Sequence, residues 1–330
     1  MNMNSRQLGT LTTSAFGLGC MGMSGAYGAA DRAESIATVH AALDAGITLL
    51  DTGDFYGTGH NELLLAEALR SRPRDTYQLS VKFGAQMGPD GAWLGFDTRP
   101  AAVKTAAAYS LQRLGTDYLD VYRPARLDPT VPIEDTVGAI GELVDAGHVR
   151  HIGLSEVGSE TIRRAAAVRP ISDLQIEYSL LDRGVERDIL GTCREFGIGV
   201  TAYGVLSRGL ISGHWTNSAG AEGDFRSMYP RFSGANLDRN LALVDALRGV
   251  AADLGVSVAQ AAIAWVASRG DDIVPLIGAR TRTRLTEALG AVDVALTDDQ
   301  SARMEAAVPA DKVAGDRYPA AQMAALDSER

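Results

Sequence analysis

The chain has 330 residues, of which 46% are hydrophobic and 22% charged, proportions typical of a globular protein with a large core. Its net charge of −10 gives no overall attraction for nucleic acid or anionic lipid, so neither is an expected partner. The two cysteines, Cys20 and Cys193, belong to no CxxC pair or His/Cys cluster, and no apolar run reaches the roughly 18 residues of a membrane span. The N-terminus lacks a signal-peptide pattern, and we therefore expect a cytoplasmic protein.

Short apolar runs alternate with longer helical patterns along the chain. Strand patterns occupy residues 16–20, 47–53, 77–84, 117–122, 149–155, 171–179, 198–203 and 272–278. Helical patterns occupy residues 61–71, 100–115, 133–147, 160–167, 185–197, about 239–254, 257–269 and 281–292. This alternation predicts an α/β fold, a (β/α)8 TIM barrel that spans residues 1–330 as a single domain. A doubly wound sheet would more often stop at five to seven strands and carry a GxGxxG turn, and this chain has neither feature.

Three segments lie outside the strand–helix units. The first 15 residues predict a short hairpin that plugs the floor of the barrel, and the polar, Ala-rich tail at 310–330 is expected to be loosely ordered. The long loop at 211–240 carries the aromatic residues Trp215, Phe225, Tyr229 and Phe232. These aromatic side chains either wall a sizeable apolar pocket or pack the loop against the barrel.

Polar residues stand where the second and third strands end, the positions at which such barrels carry their chemistry. Asp51 lies near the end of the strand at 47–53, and Lys82 lies near the end of the strand at 77–84. Tyr56 follows Asp51 by five residues. Asp51 and Lys82 could form an ion pair, and a lysine beside a phenol lowers the pKa of the phenol. Such a tyrosine can protonate a carbonyl oxygen. The spacing also fits a structural ion pair with an unrelated loop tyrosine.

Nine separated stretches decide between these interpretations. They lie at residues 16–28, 49–62, 80–84, 114–122, 131–156, 175–186, 202–210, 224–234 and 275–280. Through them, the whole chain resembles an aldo-keto reductase. The resemblance implies NADPH-dependent reduction of a small carbonyl compound and an Asp–Tyr–Lys–His tetrad, of which Asp51, Tyr56 and Lys82 match the first three members. In that role Tyr56 protonates the carbonyl oxygen, Lys82 lowers its pKa, and Asp51 orients Lys82.

The same resemblance implies a set of cofactor-binding residues. Ser155, Glu156 and Gln175 would hold the nicotinamide carboxamide, Tyr203 would stack on the nicotinamide ring, and Ser207, Gly209 and Leu210 would follow the pyrophosphate. At the adenosine end the residues are Gly278, Arg280, Thr281, Arg284 and Glu287, with Glu287 on the adenine. Arg280 and Arg284 favour NADPH over NADH because guanidinium groups bind a phosphate in bidentate fashion. Without the resemblance, this basic stretch would be a solvated helix start.

The fourth member of the tetrad is missing. In relatives a histidine precedes the arginine of an "R-x-DP" pattern, and here Ala125 precedes Arg126. Arg123 shares a strand face with position 125, and we hypothesise that it supplies positive charge near the carbonyl oxygen or buttresses Asp51, its nearest candidate carboxylate. It could instead pair below the site or bend outward. Arg126 is expected to be a scaffold residue.

The alanine at position 125 affects which substrate is expected. Some relatives that reduce pyridoxal have a similar "AR-x-D" stretch, which favours an activated aldehyde such as pyridoxal. Two alternatives stay open, an NADPH-binding sensor with weak or no turnover and a ketone or sugar reductase of secondary metabolism. The exterior helices leave a homo-oligomer possible without predicting one.

Overall fold

The computed structural model of this protein describes residues 3–215 and 224–330. Its strands are β1 (Ser5–Leu8), β2 (Leu11–Ser14), β3 (Gly17–Gly19), β4 (Leu49–Gly53), β5 (Gln78–Phe83), β6 (Ala85–Met87), β7 (Trp93–Phe96), β8 (Leu119–Pro124), β9 (Val149–Ser155), β10 (Ile171–Glu177), β11 (Gly199–Tyr203) and β12 (Ile273–Gly278). Its helices are α1 (Arg32–Asp44), α2 (His60–Leu69), α3 (Pro100–Leu114), α4 (Ile133–Asp145), α5 (Ser159–Val168), α6 (Ile189–Glu195), α7 (Gly234–Asp253), α8 (Val258–Ala267), α9 (Arg282–Leu289), α10 (Asp298–Ala307) and α11 (Ala320–Met323).

A closed barrel forms the centre of the fold. Across the described residues, eight parallel strands follow one another around it in the order β3, β4, β5, β8, β9, β10, β11 and β12. This arrangement confirms the predicted (β/α)8 fold. The register pairs Gly53 with Lys82 and Lys82 with Arg123, so the carboxyl ends of β4, β5 and β8 lie side by side. β8 runs to Pro124, two residues beyond the prediction, because Arg123 and Pro124 still pair with β5.

Local chemistry sets where the helices begin and end. Pro100 opens α3, where its missing N–H costs nothing, and Gly115 closes that helix with a φ of 65°. Ser257 and Gln260 form a capping box at the start of α8. Each of these signals is short-range, which explains why the predicted helix limits at 100–115 and 257–269 agree closely with the structure.

The predicted N-terminal hairpin is present as β1 and β2, which pair in antiparallel fashion. Its leucines form a small apolar cluster with residues of the barrel interior, namely Leu8, Leu11, Leu49, Val121, Val274 and Leu276. The hairpin lies so close to β11 that a Cβ added at Gly199 would be 2.6 Å from the Cα of Leu8. A glycine is therefore required where the hairpin covers the barrel floor.

Two segments differ from the sequence prediction. The tail at 310–330 is packed rather than loosely ordered, since Arg317 is 3% exposed and Leu326 is 2% exposed. β6 and β7 form a further hairpin after β5 that the sequence did not predict. Glycines at 88, 91 and 95 interrupt the apolar alternation that would have indicated these strands.

In the described part of the chain, no single helix has both the length and the apolar character to cross a membrane. α7 and α8 meet those criteria only when taken together, and they are bent by 85° at the break between them. α8 packs into the core of the protein, where Trp265 is fully buried.

Asp54, directly after β4, predicts a dependence of stability on pH. Burial raises its pKa from 3.8 to about 7, and the nearby Glu62 carboxylate acts in the same direction. The folded state therefore keeps a proton that the unfolded chain loses above pH 4, so stability falls between about pH 4 and pH 7. Asp54→Asn should raise the free energy of unfolding at pH 8 by up to about 4 kcal/mol, since one pKa unit corresponds to about 1.4 kcal/mol. Urea unfolding at pH 8 and pH 4 would measure this.

The matched control is Asp75→Asn, because Asp75 is exposed. It should change stability by less than about 0.5 kcal/mol at either pH. The interpretation would be wrong if Asp54→Asn stabilised the protein equally at pH 4 and pH 8, or not at all.

Candidate active site

An ion pair lies at the carboxyl ends of β4 and β5. Lys82 Nζ is 2.6 Å from Asp51 Oδ2, and the two side chains are only 5% and 6% exposed. The parallel register brings them together, since Lys82 pairs with Gly53, two residues after Asp51 and on the same strand face. The Asp–Lys contact expected from the sequence is therefore present.

Below this pair lies a second layer of buried polar groups. Ser80 Oγ and Gln175 Nε2 donate hydrogen bonds to Asp51 Oδ1, at 3.0 and 2.8 Å. Arg123 donates to Ser80 Oγ at 2.5 Å and forms an ion pair with Asp173 at 2.5 Å. Asp173, not Asp51, supplies the carboxylate of Arg123, so the alternative that Arg123 pairs below the site is the one that the structure shows. Arg123 is fully buried beneath the site and supports Asp51 indirectly, through its hydrogen bond to Ser80.

Tyr56 stands above the ion pair, with Lys82 Nζ 5.0 Å from the centroid of its ring. The pKa of Tyr56 is raised well above its ordinary value of 10, first by burial and then by the charge of Asp51. The expected lowering by Lys82 is therefore not found in the free protein. The reason is that Asp51 already neutralises Lys82 at 2.6 Å, while burial penalises the phenolate. Tyr56 thus keeps its proton at neutral pH.

These residues lie in a cleft of about 570 Å³ at the mouth of the barrel. Eleven residues singled out from the sequence line it, namely Asp51, Tyr56, Lys82, Gln175, Tyr203, Gly209, Gly278, Arg280, Thr281, Arg284 and Glu287. Four others are almost completely buried behind the lining, namely Ser155, Glu156, Ser207 and Leu210. Most of the predicted residues are thus brought together by the fold, although they come from distant parts of the chain.

One end of the cleft lies at the start of α9. Thr281 caps this helix by accepting a hydrogen bond from the backbone N–H of Arg284 at 3.4 Å. Arg280 donates to the backbone carbonyls of residues 27–29, and among the described residues no carboxylate lies within 4 Å of its guanidinium group. Arg284 is 3.1 Å from Glu287, which also accepts a hydrogen bond from His214 at 2.8 Å. This end therefore offers cationic donors and a helix N-terminus to an anion.

Glu156 does not have the environment that the sequence predicted. Its carboxylate is fully buried and forms a two-point ion pair with Arg317, at 2.8 and 2.6 Å. It also accepts hydrogen bonds from Tyr203 at 2.6 Å and from Ser328 at 2.8 Å. Burial alone would raise the pKa of Glu156, but Arg317 lowers it to about 2. Both oxygens of this carboxylate are engaged, and Glu156 lies behind the cleft lining, so its predicted contact with a nicotinamide carboxamide is not prepared in this structure.

The tail supplies residues that sequence reasoning missed. Tyr318 lines the cleft, and its hydroxyl lies 2.7 Å from that of Tyr203. The neighbouring Arg317 anchors it through Glu156. The stretch "DRYP" at 316–319, an arginine and an aromatic residue in an Ala-rich segment, was the one local sign of this role. No local pattern could show that its partner lies 161 residues away.

The aromatic loop is divided between the two roles that the sequence left open. Phe225 and Tyr229 line the cleft, together with Tyr27. Trp215 and Phe232 instead pack on each other, with ring centroids 5.1 Å apart. The part of the predicted loop at 216–223 lies outside the described residues.

Arg126 was expected to be a scaffold residue, but it lines the cleft. It donates hydrogen bonds to the backbone carbonyl of Ala125 at 2.6 Å and to the hydroxyl of Tyr318 at 3.2 Å. Ala125 itself is 3% exposed and adds only a methyl group. Arg126 rather than Arg123 is therefore the arginine of this strand end that reaches the site.

Comparison with known proteins gives matches over most of the chain. Residues 15–309 match the model of the aldo/keto reductase family. A probable aldo-keto reductase 1 of Glycine max is 39% identical over 317 residues, which are 94% of this chain and 91% of the soybean protein. The structure of glycerol dehydrogenase AKR11B4 from Gluconobacter oxydans is 28% identical, with a TM-score of 0.83 over 94% of this chain and 97% of that one. Aldo-keto reductase AKR11C1 from Bacillus halodurans, in its holo form, is 27% identical, with a TM-score of 0.79 and the same coverage.

The ion pair between Arg317 and Glu156 predicts that the tail depends on one side chain. Arg317→Met leaves a buried carboxylate without its counter-charge, which typically costs about 3–5 kcal/mol. We expect a matching loss in the free energy of unfolding and faster proteolysis within residues 310–330. Urea denaturation and limited proteolysis followed by mass spectrometry would measure the two effects.

Lys312→Met is the control, because Lys312 lies in the same tail and its side chain is 67% exposed. The double variant Arg317→Met/Glu156→Gln should recover part of the stability, since it removes the most buried of the carboxylates that Arg317 contacts; the others are Glu177, Asp182 and Glu329. If Arg317→Met behaved like Lys312→Met, the tail would be held by other contacts.

Proposed function

This chain belongs to the aldo/keto reductase family, and from that premise we propose that it reduces aldehydes to alcohols with NADPH, with Tyr56 as the proton donor. Members of the family are oxidoreductases that act on small-molecule carbonyl compounds. The observation that carries the proposal is the position of Tyr56, which lines the cleft beside the buried Asp51–Lys82 pair. A general acid must be protonated when it acts, and burial keeps the proton on Tyr56.

Each of the three polar residues has a separate task in this proposal. Tyr56 donates its proton to the carbonyl oxygen while the carbonyl carbon is reduced. Lys82, 5.0 Å from the tyrosine ring, stabilises the phenolate that remains after the proton has left. Asp51 holds Lys82 in place at 2.6 Å and keeps its ammonium group charged in a buried site.

NADPH fits the charges of the cleft. Arg280 and Arg284, with Thr281 at the N-terminus of α9, form a site suited to a 2′-phosphate. The cleft of about 570 Å³ extends from this site to Tyr56, and Tyr203 and Gln175 line its other end. When bound there, the nicotinamide supplies the hydride. We assign the NADPH preference to the two guanidinium groups.

An aldehyde suits the site better than an unactivated ketone. Ala125 supplies no hydrogen-bond donor, and activated carbonyl groups need less help in polarising the C=O bond. Tyr27, Phe55, Phe225 and Tyr229 give the cleft aromatic walls, which favour an aromatic or heteroaromatic aldehyde such as pyridoxal.

An NADPH-binding sensor is the second candidate, and Ala125 is the observation that favours it. A sensor needs the cofactor-binding residues but not the proton donor. The intact Asp51–Lys82 pair beside Tyr56 favours the enzyme, because binding alone gives no reason to bury a charged pair below the cleft.

We place the reaction in the reducing cytoplasm. Cys20 and Cys193 are both free thiols in the structure and both are buried. Burial raises the pKa of Cys193 to about 12 and that of Cys20 further still, so neither thiol has the thiolate character of a redox centre.

Tyr56→Phe tests the proposed proton donor. The substitution removes one oxygen atom and keeps the ring, so NADPH should bind with unchanged affinity. We expect kcat with 4-nitrobenzaldehyde to fall by at least about 10²-fold, a typical contribution of a general acid. NADPH oxidation followed at saturating cofactor would measure kcat, and nucleotide fluorescence would measure binding.

Phe55→Leu is the control, since Phe55 lines the same cleft but has no hydroxyl group that could donate a proton. It should change kcat much less than Tyr56→Phe does. Full activity of Tyr56→Phe would refute the assignment of the proton donor. Tight NADPH binding by the wild type without turnover on 4-nitrobenzaldehyde, pyridoxal or other aldehydes would favour the sensor.

Arg280→Met and Arg284→Met test the cofactor preference. Each should raise KM for NADPH by about 10–100-fold and change KM for NADH little, because a charge-assisted hydrogen bond contributes about 1.5–3 kcal/mol. Arg282→Met is the matched control, since Arg282 lies between them but pairs with Glu34 at 2.8 Å. Equal effects on NADPH and NADH would contradict the proposed phosphate site.

A further inference from the structure

Arg126 differs from most arginines of the cleft in its charge environment. Arg208 is 3.0 Å from Glu177, Arg226 is 2.5 Å from Asp224, and Arg284 is 3.1 Å from Glu287. Among the residues that the structure describes, no carboxylate lies within 4 Å of the Arg126 guanidinium. Arg280 shares this property, but it lies at the adenosine end of the cleft. Arg126 therefore forms no direct ion pair within the described residues at the end that holds Tyr56, although the charge of Glu156 acts on it from farther away.

Neutral oxygens hold Arg126 in place. Nη1 donates to the carbonyl of Ala125 at 2.6 Å and lies 3.5 Å from Ser155 Oγ, while Nη2 donates to the hydroxyl of Tyr318 at 3.2 Å. Tyr318 is fixed in turn by Tyr203. A guanidinium group has five N–H donors, and these contacts occupy three of them. Donors therefore remain for a molecule in the cleft.

The backbone places Arg126 close to the proposed reaction centre. The N–H of Ala125 donates to the carbonyl of Phe83 at 2.8 Å, so the chain after β8 runs beside the end of β5, one residue beyond Lys82. Burial is the largest effect on both groups, raising the pKa of Tyr56 and lowering that of Lys82, and the positive charge of Arg126 lowers the pKa of each. The charge of Arg126 therefore lies near enough to Tyr56, the proposed proton donor, to affect it.

We propose that Arg126 donates a hydrogen bond to the carbonyl oxygen of the substrate and so performs the task of the histidine that is absent at position 125. This inference rests on the proposed function. As the carbon accepts the hydride, the π electrons of the C=O bond move to oxygen, and the proton of Tyr56 completes the alcohol. Arg126 stabilises the negative charge that develops on the oxygen, and it remains protonated throughout.

This assignment has a chemical consequence. The guanidinium group keeps its charge at every accessible pH, whereas a histidine would lose its charge near pH 6.5. The contribution of Arg126 to the reaction should therefore be the same at pH 5.5 and at pH 8.

Arg126→Met, Arg126→Lys and Arg126→Met/Ala125→His test the proposal. With saturating NADPH, kcat would be measured for neutral 4-nitrobenzaldehyde and anionic 4-carboxybenzaldehyde. Loss of one such donor typically costs 10²–10³-fold, so we expect Arg126→Met to lower kcat by about 10²-fold for both aldehydes. Arg126→Lys should retain part of the rate, and the histidine in the double variant should restore part of it at pH 8, because a neutral imidazole still has one N–H donor.

Arg150→Met is the matched control, because Arg150 is exposed at the start of β9, at the opposite end of the barrel. It should leave kcat unchanged, and circular dichroism would establish that all variants fold. The proposal would be overturned if Arg126→Met left kcat unchanged or lowered it only for 4-carboxybenzaldehyde. The second result would mean that Arg126 binds a remote anionic group of the substrate.

The two proposals fail in different ways. Wild-type turnover that survives Arg126→Met overturns the role of Arg126 and leaves the proposed function in place. Absence of turnover by the wild type with every aldehyde, while NADPH still binds, overturns the proposed function and the role of Arg126 with it.

Discussion

The buried ion pair between Asp51 and Lys82 is the interaction around which the site is built. Two charges with 5–6% exposure are costly to bury, and each is stable only while the other stays 2.6 Å away. Ser80 and Gln175 satisfy the second oxygen of Asp51, and Arg123 supports Ser80 from below. The barrel can hold this arrangement because parallel strands in register place side chains from separate β/α units in one layer.

A second charged pair connects the barrel to the end of the chain. Glu156, at the residue after β9, has a φ of 54°, and Arg317 of the tail binds its carboxylate. This contact brings Tyr318 over the mouth of the cleft, where it meets Tyr203 and Arg126. The tail is therefore part of the cleft wall, and Arg126 is held there by a residue 192 positions later in the chain.

The cleft has an arginine next to position 125, where relatives have a histidine and this chain has an alanine. Ala125 leaves space at the strand end, and the next residue, Arg126, turns its guanidinium group into the cleft. Arg123, which shares a strand face with position 125, is committed to Asp173 and fully buried. A site can thus differ from its family pattern at one position and still keep a cationic donor near the same place.

The sequence determined those features of the fold and the site that depend on local periodicity and short motifs. The eight strands, the N-terminal hairpin and the pairing of Asp51 with Lys82 followed from alternation, glycine stops and the positions of strand ends. These features are predictable because helix and strand periods, and the common edge of parallel strands, are fixed by backbone geometry.

Only the tertiary structure decided which partners the charged side chains bind and which of these side chains reach the cleft. It assigned Arg123 to Asp173, Glu156 to Arg317 and Arg126 to the cleft, and it ordered a tail that looked featureless in sequence. It also raised the pKa of Tyr56, because the pKa depends first on the burial of the phenol and then on the nearby charge of Asp51. A long charged side chain can reach several partners that are far apart in the chain. Burial and the need to neutralise buried charges determine which partner it binds, and a local sequence pattern contains neither kind of information.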